Sequence, residues 1–571
     1  MRKLLAVVGV TLLAMPGIQA AAPPAPAPQV PAPASAMAMG EHLPTTLADW
    51  ARGAQLYEGI GTSHRPIGTH SREAQRYFDQ GMRFLWAFNH DESTRSFAHA
   101  LELDPACAMC AWGVALTIGP NYNLPMLAEA RAKIAYATTL RAQSLAGSAS
   151  KVEQALIAAL RLRYPSAQPL DPTSAIPVLT AYAAAMGDVA RRFPDDLDVQ
   201  TLYAEAMMNV HAWKLWSAEG MPTAGTAEIV ATLESVMARN PMHIGALHYY
   251  VHAIEASPHP EKAVAAAERI RGLAPAAGHL EHMPAHILQR VGRYEEAADA
   301  NRKGAAADIA YLAKTTPLDY YAMYFGHNYQ FLAYSAAAEG REAETLDAVR
   351  RSRASMSDAL LKEMPGADWY VAELYTAQVR FGKWDMLLAE PPPDPGLPAL
   401  TGGYLYATSM ALAAKNQPAA ARERLAQLDQ LIAGLPADAA AGLNTLHDVL
   451  AVARLVVAAR IGTAEGRTEE ALHELGEAVR LEDALGYNEP ADWFFPVRHL
   501  LGAELLRAAR PTEAERVYRD DLQRHPGNGW ALFGLAQALK AEGRSDVARA
   551  TEAQFRQAWS HATIAITASA F

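Results

Sequence analysis

"YFDQGMRFLWAFNHDESTRSFAHALELDP" spans Tyr77–Pro105 and reads as two short helices joined by a turn at Asn89 and His90. Gly81, Phe97 and Ala100 punctuate it, and Pro105 closes it. Whether such a unit recurs decides the fold, because a repeat array and a set of separate domains are built differently. The phrase "AEGR" appears at Ala338–Arg341, Ala464–Arg467 and Ala541–Arg544, and "VGR" at Val291–Arg293. A run of helical period follows each, as in "EGRTEEALHELGEAVRLED". Spacing points to one unit length: Ala263 and Ala297 lie 34 residues apart, as do Ala514 and Ala548.

Composition agrees with an array. A chain of 571 residues exceeds what one compact core can use. Hydrophobic residues make up 51%, with only 19% charged, which suits many short amphipathic helices packed through small side chains. No stretch reads as alternating strands. The formal net charge is -11 and there is no basic run, which argues against electrostatic binding to nucleic acid or an anionic membrane.

Residues 1–20, "MRKLLAVVGVTLLAMPGIQA", combine a positive start, an apolar stretch too short to span a bilayer, and the breaker pair Pro16–Gly17. That is the layout of a secretory signal peptide. It predicts a periplasmic or secreted protein with no integral span in the mature chain. Residues 21–48 form a Pro/Ala-rich linker, and folded structure is expected over 49–571.

In its 34-residue units and in the placing of Gly81, Phe97, Ala100 and Pro105, the chain resembles the tetratricopeptide repeat superfamily. The resemblance is clearest over 75–119, 245–345, 369–430, 452–485 and 496–558. It implies an all-α solenoid, a right-handed superhelix of antiparallel helix pairs in which neighbouring units share one core. It also implies that the first helix of each unit lines a concave groove, through offsets 2, 5, 9 and 12.

The window His248–His286 carries six of the chain's 19 histidines, where composition alone would put about one. Repeat phase separates them. His248, His252 and Glu255 fall at offsets 5, 9 and 12 of one unit. His279, His282 and His286 fall at 2, 5 and 9 of the next, with Arg290 at 13. His327 and Gln330 take offsets 2 and 5 of the following unit, and Glu205 and Asn209 take 9 and 13 of the preceding one. His259, in "ASPHPEK", belongs to a turn and should be solvated.

Imidazoles four residues apart on a helix can share a divalent ion, with carboxylates completing its shell. Two such rows on adjacent helices predict a site for Zn, Cu or Fe built from His248, His252, His279, His282 and His286. Glu255 is the first acid ligand, with His327 and Glu205 as additions. The order of residues is not a metalloprotease signature, because Tyr249 and Tyr250 stand where that motif needs its base. If the site is catalytic, the metal would activate water or oxygen. The competing expectation is a scaffold without metal that holds a peptide or partner protein in its groove, with Asn209, Arg290 and Gln330 among the contacts.

Cys107 and Cys110 are the only cysteines and can pair locally in an oxidising compartment, although two buried, unpaired thiols fit the spacing equally well. "GPNYNLP" (Gly119–Pro125) and "GYNEPADWFFPVRHL" (Gly486–Leu500) read as loop and linker, the latter packing its aromatics between repeats. His64 and His70, in a loop before the first unit, carry no assignment.

Overall fold

The structure is a computed structural model that describes residues 44–315 and 321–571. The expected signal peptide, and the linker up to residue 43, lie outside the described residues.

Helix pairs follow one another along the chain: Arg72–Trp86 with His90–Leu103, Ile244–Glu255 with Val264–Ile270, Tyr321–Ala338 with Glu342–Ser355, and so on to Gly529–Ala541 with Ser545–Ala558. The fold is an all-α array of the tetratricopeptide type. Strand pairing is confined, among the described residues, to Ala440–Ala441 against Asn444–Thr445 and two isolated bridges. Local chemistry sets the helix ends. Ser71 and Asn89 accept hydrogen bonds from first-turn backbone N–H groups, Ser150 and Glu153 make a reciprocal cap, and Pro418 and Pro511 open their helices.

One turn type joins many of the pairs. It holds three residues, and the middle one has left-handed backbone: Gly292 (φ +79°), Gly340 (+70°), Gly382 (+61°), Gly466 (+76°) and Gly543 (+76°). This is the physical content of the "VGR" and "AEGR" phrases, since glycine adopts that backbone without a Cβ clash. Phe88 sits at the same position with φ +53°. A bulky side chain there is uncommon, and its ring packs against the histidines described below.

Units far apart in the chain also meet. Trp530 Nε1 donates to Ala337 O at 2.8 Å, and Thr563 N donates to Gly340 O at 3.0 Å, so the C-terminal pairs cover the turns of earlier ones. A Cβ at Gly340 would lie 2.3 Å from the Trp559 ring. On the other side Asn123 Nδ2 donates to the Tyr324 hydroxyl at 3.0 Å and Tyr311 Oη donates to Glu92 Oε2 at 2.9 Å. At Gly340 the missing Cβ permits the close approach.

Candidate metal centre

Two first helices carry the histidine rows. Ile244–Glu255 holds His248, His252 and Glu255, and its neighbour is split into Gly278–His282 and Pro284–Arg290. Pro284 has no N–H to give Leu280 O, so the helix breaks between His282 and His286. Gly304 lets the next helix, Tyr294–Leu312, close onto this row: a Cβ there would stand 3.1 Å from that of His282. His248, His252, His279, His282 and His286 are all buried, with at most 9% exposure.

Each of four rings is held by its Nδ1 atom. His248 Nδ1 donates to Trp86 O at 2.6 Å, and His252 Nδ1 to Glu255 Oε1 at 2.9 Å. His282 Nδ1 donates to Asn301 Oδ1 at 2.6 Å; the Asn301 amide nitrogen donates to Ala297 O at 2.7 Å, which orients the oxygen toward the ring. His286 Nδ1 lies 2.6 Å from Glu489 Oε2 and 2.7 Å from Glu255 Oε2. With the proton fixed on Nδ1, a neutral ring presents a bare lone pair on Nε2.

Those Nε2 atoms face one another. The distance is 3.1 Å between His248 and His279, and 2.5 Å between His282 and His286. His252 Nε2 and Glu489 Oε1 are buried without a hydrogen-bond partner among the described residues. Donor atoms fall into three groups, each within 4.8 Å: His248, His252 and His279; His252, Glu255, His286 and Glu489; His282, His286 and His327. His252 and His286 each belong to two groups, so the eight residues form one connected array. His248, His252, His282 and His286 do not converge on a single point.

Burial governs the charges. It pushes His248 down to about 3 and His327 to about 4, and holds His252, His279 and His282 well below the ordinary imidazole value. His286 is the exception. Burial alone would lower it, yet the carboxylates of Glu489 and Glu255 carry it up to about 10. Against the burial that would raise it, His286 holds Glu489 below its usual value, while burial and the Glu489 charge push Glu255 well above.

Aromatic rings enclose the array. Phe88 lies 4.5 Å from the His248 ring centroid and stacks at 5.4 Å on His252 and 5.7 Å on His279. Tyr122 is 5.4 Å from His252, Tyr324 is 4.9 Å from His279, and Phe331 is 4.6 Å from His286. One recess of ≈310 Å³ reaches the array, lined by Phe84, Phe88, Asn89, Tyr321, Tyr324 and His279 itself.

The remaining sequence candidates stand apart from the three donor groups. Glu205 accepts from Asn209 Nδ2 at 2.5 Å and faces the buried Arg163 and Tyr182. Arg290 donates to the backbone oxygens of Glu255 and Ser257 and lies over the Tyr487 ring, so it ties elements together. Gln330 donates to Tyr370 O at 3.1 Å. His259 sits in its turn with a 61% exposed side chain. Cys107 and Cys110 form a disulfide.

Sequence reasoning missed Glu489, which lies in the non-helical stretch between Thr468–Asp483 and Val497–Arg507. Its only signal was an acid in an aromatic linker. Phe88 and Tyr122 were likewise read as parts of turns and loops, which they are, but each also covers a histidine.

No protein-family model matches the chain. No curated protein matches it either. Among solved structures the chain is similar to a human IFIT1 dimer with m7Gppp-AAAA, at 11% identity over 79% of this chain and 90% of the other, with a TM-score of 0.33. It is similar also to the APC/C hetero-tetramer Cut9-Hcn1 (14% identity, 86% and 81% covered, TM-score 0.32) and to yeast Tom70 (11% identity, 84% and 96% covered, TM-score 0.31).

Proposed function

We propose that this chain is a metal-binding protein whose buried chamber holds divalent transition-metal ions. One observation carries the reading: eight histidines and glutamates bring donor atoms into three overlapping groups, each within 4.8 Å, and an oxygen engages Nδ1 of His248, His252 and His282, which leaves their Nε2 lone pairs to ligate. The 2.5 Å between the Nε2 atoms of His282 and His286 suits a shared proton, and a metal held by both at ~2.0–2.1 Å would take that proton's place and spread the rings. Outer hydrogen bonds that fix the tautomer and raise ligand basicity are the usual support of metal-binding histidines.

The two imidazole trios are the natural positions for two ions, with Glu255 and Glu489 between them as acid ligands or charge partners. Nitrogen and oxygen donors without thiolate favour Zn(II), Cu(II) or Fe(II). A peptide-docking groove would need its imidazoles at the surface, and here they are interior. We take the chain to be exported. The N-terminal pattern supports this, and the Cys107–Cys110 disulfide suits an oxidising compartment.

The test is calorimetric titration of chelator-stripped, untagged protein with Zn(II) and Cu(II). Wild type should bind stoichiometrically, and the double variant His252→Ala/His286→Ala, which removes both shared ligands, should lose affinity at least 100-fold. Equal binding by the two proteins would refute the reading.

A further inference from the structure

A second buried feature lies outside the histidine chamber. A recess of ≈500 Å³ is bounded by the helices Glu373–Arg380 and Pro398–Ala414, the segment 493–496, and Ala570 and Phe571. Its walls are apolar or aromatic, with Tyr406, Met410, Trp493, Phe495 and Leu500 among them.

One cation enters it. Arg380 is 6% exposed, with its guanidinium carbon 3.7 Å from the Trp530 ring centroid and 4.9 Å from that of Phe495. Nη2 donates to His499 Nδ1 at 3.0 Å and Nη1 to Ser569 O at 3.3 Å, both uncharged acceptors. Nε has no acceptor. Asp521, the acid that acts on it through space, already accepts from His499 at 2.9 Å and pairs with His525 at 3.0 Å. Arg380, Phe494, Phe495 and Pro496 also line a smaller adjoining recess.

A buried guanidinium with only neutral contacts is poorly compensated, and burial pushes Arg380 down to about 9. An incoming anion would restore the balance, and the planar fork suits a carboxylate. The rest of the recess offers rings and aliphatic groups. We infer that this recess binds a small organic monocarboxylate with an apolar or aromatic body, the carboxylate on Arg380 and the body against Tyr406, Met410 and Trp493.

The probes are 3-phenylpropanoate, its neutral amide and the corresponding amine, each titrated calorimetrically into the full chain. The acid should bind in a saturable 1:1 manner at least tenfold more tightly than the amide, with no binding of the amine. Arg380→Gln should abolish the preference for acid over amide. A carboxylate caught by a metal in the histidine chamber would keep its affinity in that variant, which separates the two sites. Should Arg380→Gln fail to fold, Leu500→Trp fills the recess from its half-buried edge and should weaken the acid at least tenfold at an unchanged unfolding temperature. Equal affinity for acid and amide, or undiminished acid binding in a folded Arg380→Gln or Leu500→Trp protein, overturns the proposal.

Discussion

His282 and His286 point their Nε2 atoms at each other across 2.5 Å, while Asn301 and the carboxylates of Glu489 and Glu255 occupy their Nδ1 atoms. In the metal-free protein the proton of His286, whose value stands at about 10, bridges the gap, and a metal held by both nitrogens at ~2.0–2.1 Å would replace it and spread the rings.

Metal and proton therefore compete for one position. At pH 7 the metal-free pair is protonated, so binding Zn(II) should release about one proton from it. Titration calorimetry in buffers of different ionisation enthalpy measures this directly. Apparent affinity should rise about tenfold per pH unit between pH 6 and 8; an uptake of protons, or none exchanged, contradicts the assignment.

Asn301→Leu removes the acceptor that fixes the His282 tautomer. Metal affinity should fall about 10- to 100-fold, as for other outer-shell partners of metal-bound histidines. The stripped protein should also lose ~1–3 kcal/mol of stability from the stranded Nδ1–H. Retained affinity would mean that the ring is held by something else.

Glu489→Gln keeps the shape of the side chain and removes the carboxylate charge that Glu489 places beside His286. Proton release on metal binding should shrink and affinity should drop, while the helices keep their far-ultraviolet circular dichroism. A variant identical to wild type in both titrations would exclude Glu489 from the site.

The neutral buried imidazoles set an acid limit for the stripped protein. His248 and His327 have folded values of about 3 and 4, below the ~6.5 of an unfolded chain. Below that unfolded value only the unfolded state takes up their protons, so stability is lost as pH falls from ~6.5 toward 4, by up to ~1.4 kcal/mol per pH unit for each such ring. His286, raised instead, contributes in the opposite sense and only as pH climbs toward 10. Urea denaturation at pH 7 and pH 5 should show the loss; equal midpoints would contradict it.

Phe88→Gly exchanges a strained left-handed phenylalanine for the residue used at the equivalent turns. Relief of the backbone is worth roughly 1 kcal/mol, against ~3–5 kcal/mol for a deleted buried ring, so the variant should be less stable overall. It should also surrender bound metal faster to a chelator, because the ring covers His248, His252 and His279. An unchanged release rate would show that the Phe88 ring does not shield the histidines.

What could be read from the sequence was whatever repeats. The 34-residue spacing and the turn glycines gave the helix pairs, and helical phase brought His248, His252 and Glu255 to the same array as His279, His282, His286 and His327. Phase misjudged Glu205, whose helix turns it toward Arg163. Glu489 was out of reach because it lies 203 residues from His286 on a segment with no period. Long-range contacts such as Trp530 to Ala337 O were equally hidden, since they depend on how distant units meet.

The central claim is that this interior is a metal site, and elemental analysis of untagged protein tests it most directly. After incubation with Zn(II) or Cu(II) and exhaustive dialysis, the account predicts about one to two ions per chain bound through nitrogen and oxygen. Less than about a tenth of an ion per chain under the same conditions would contradict it.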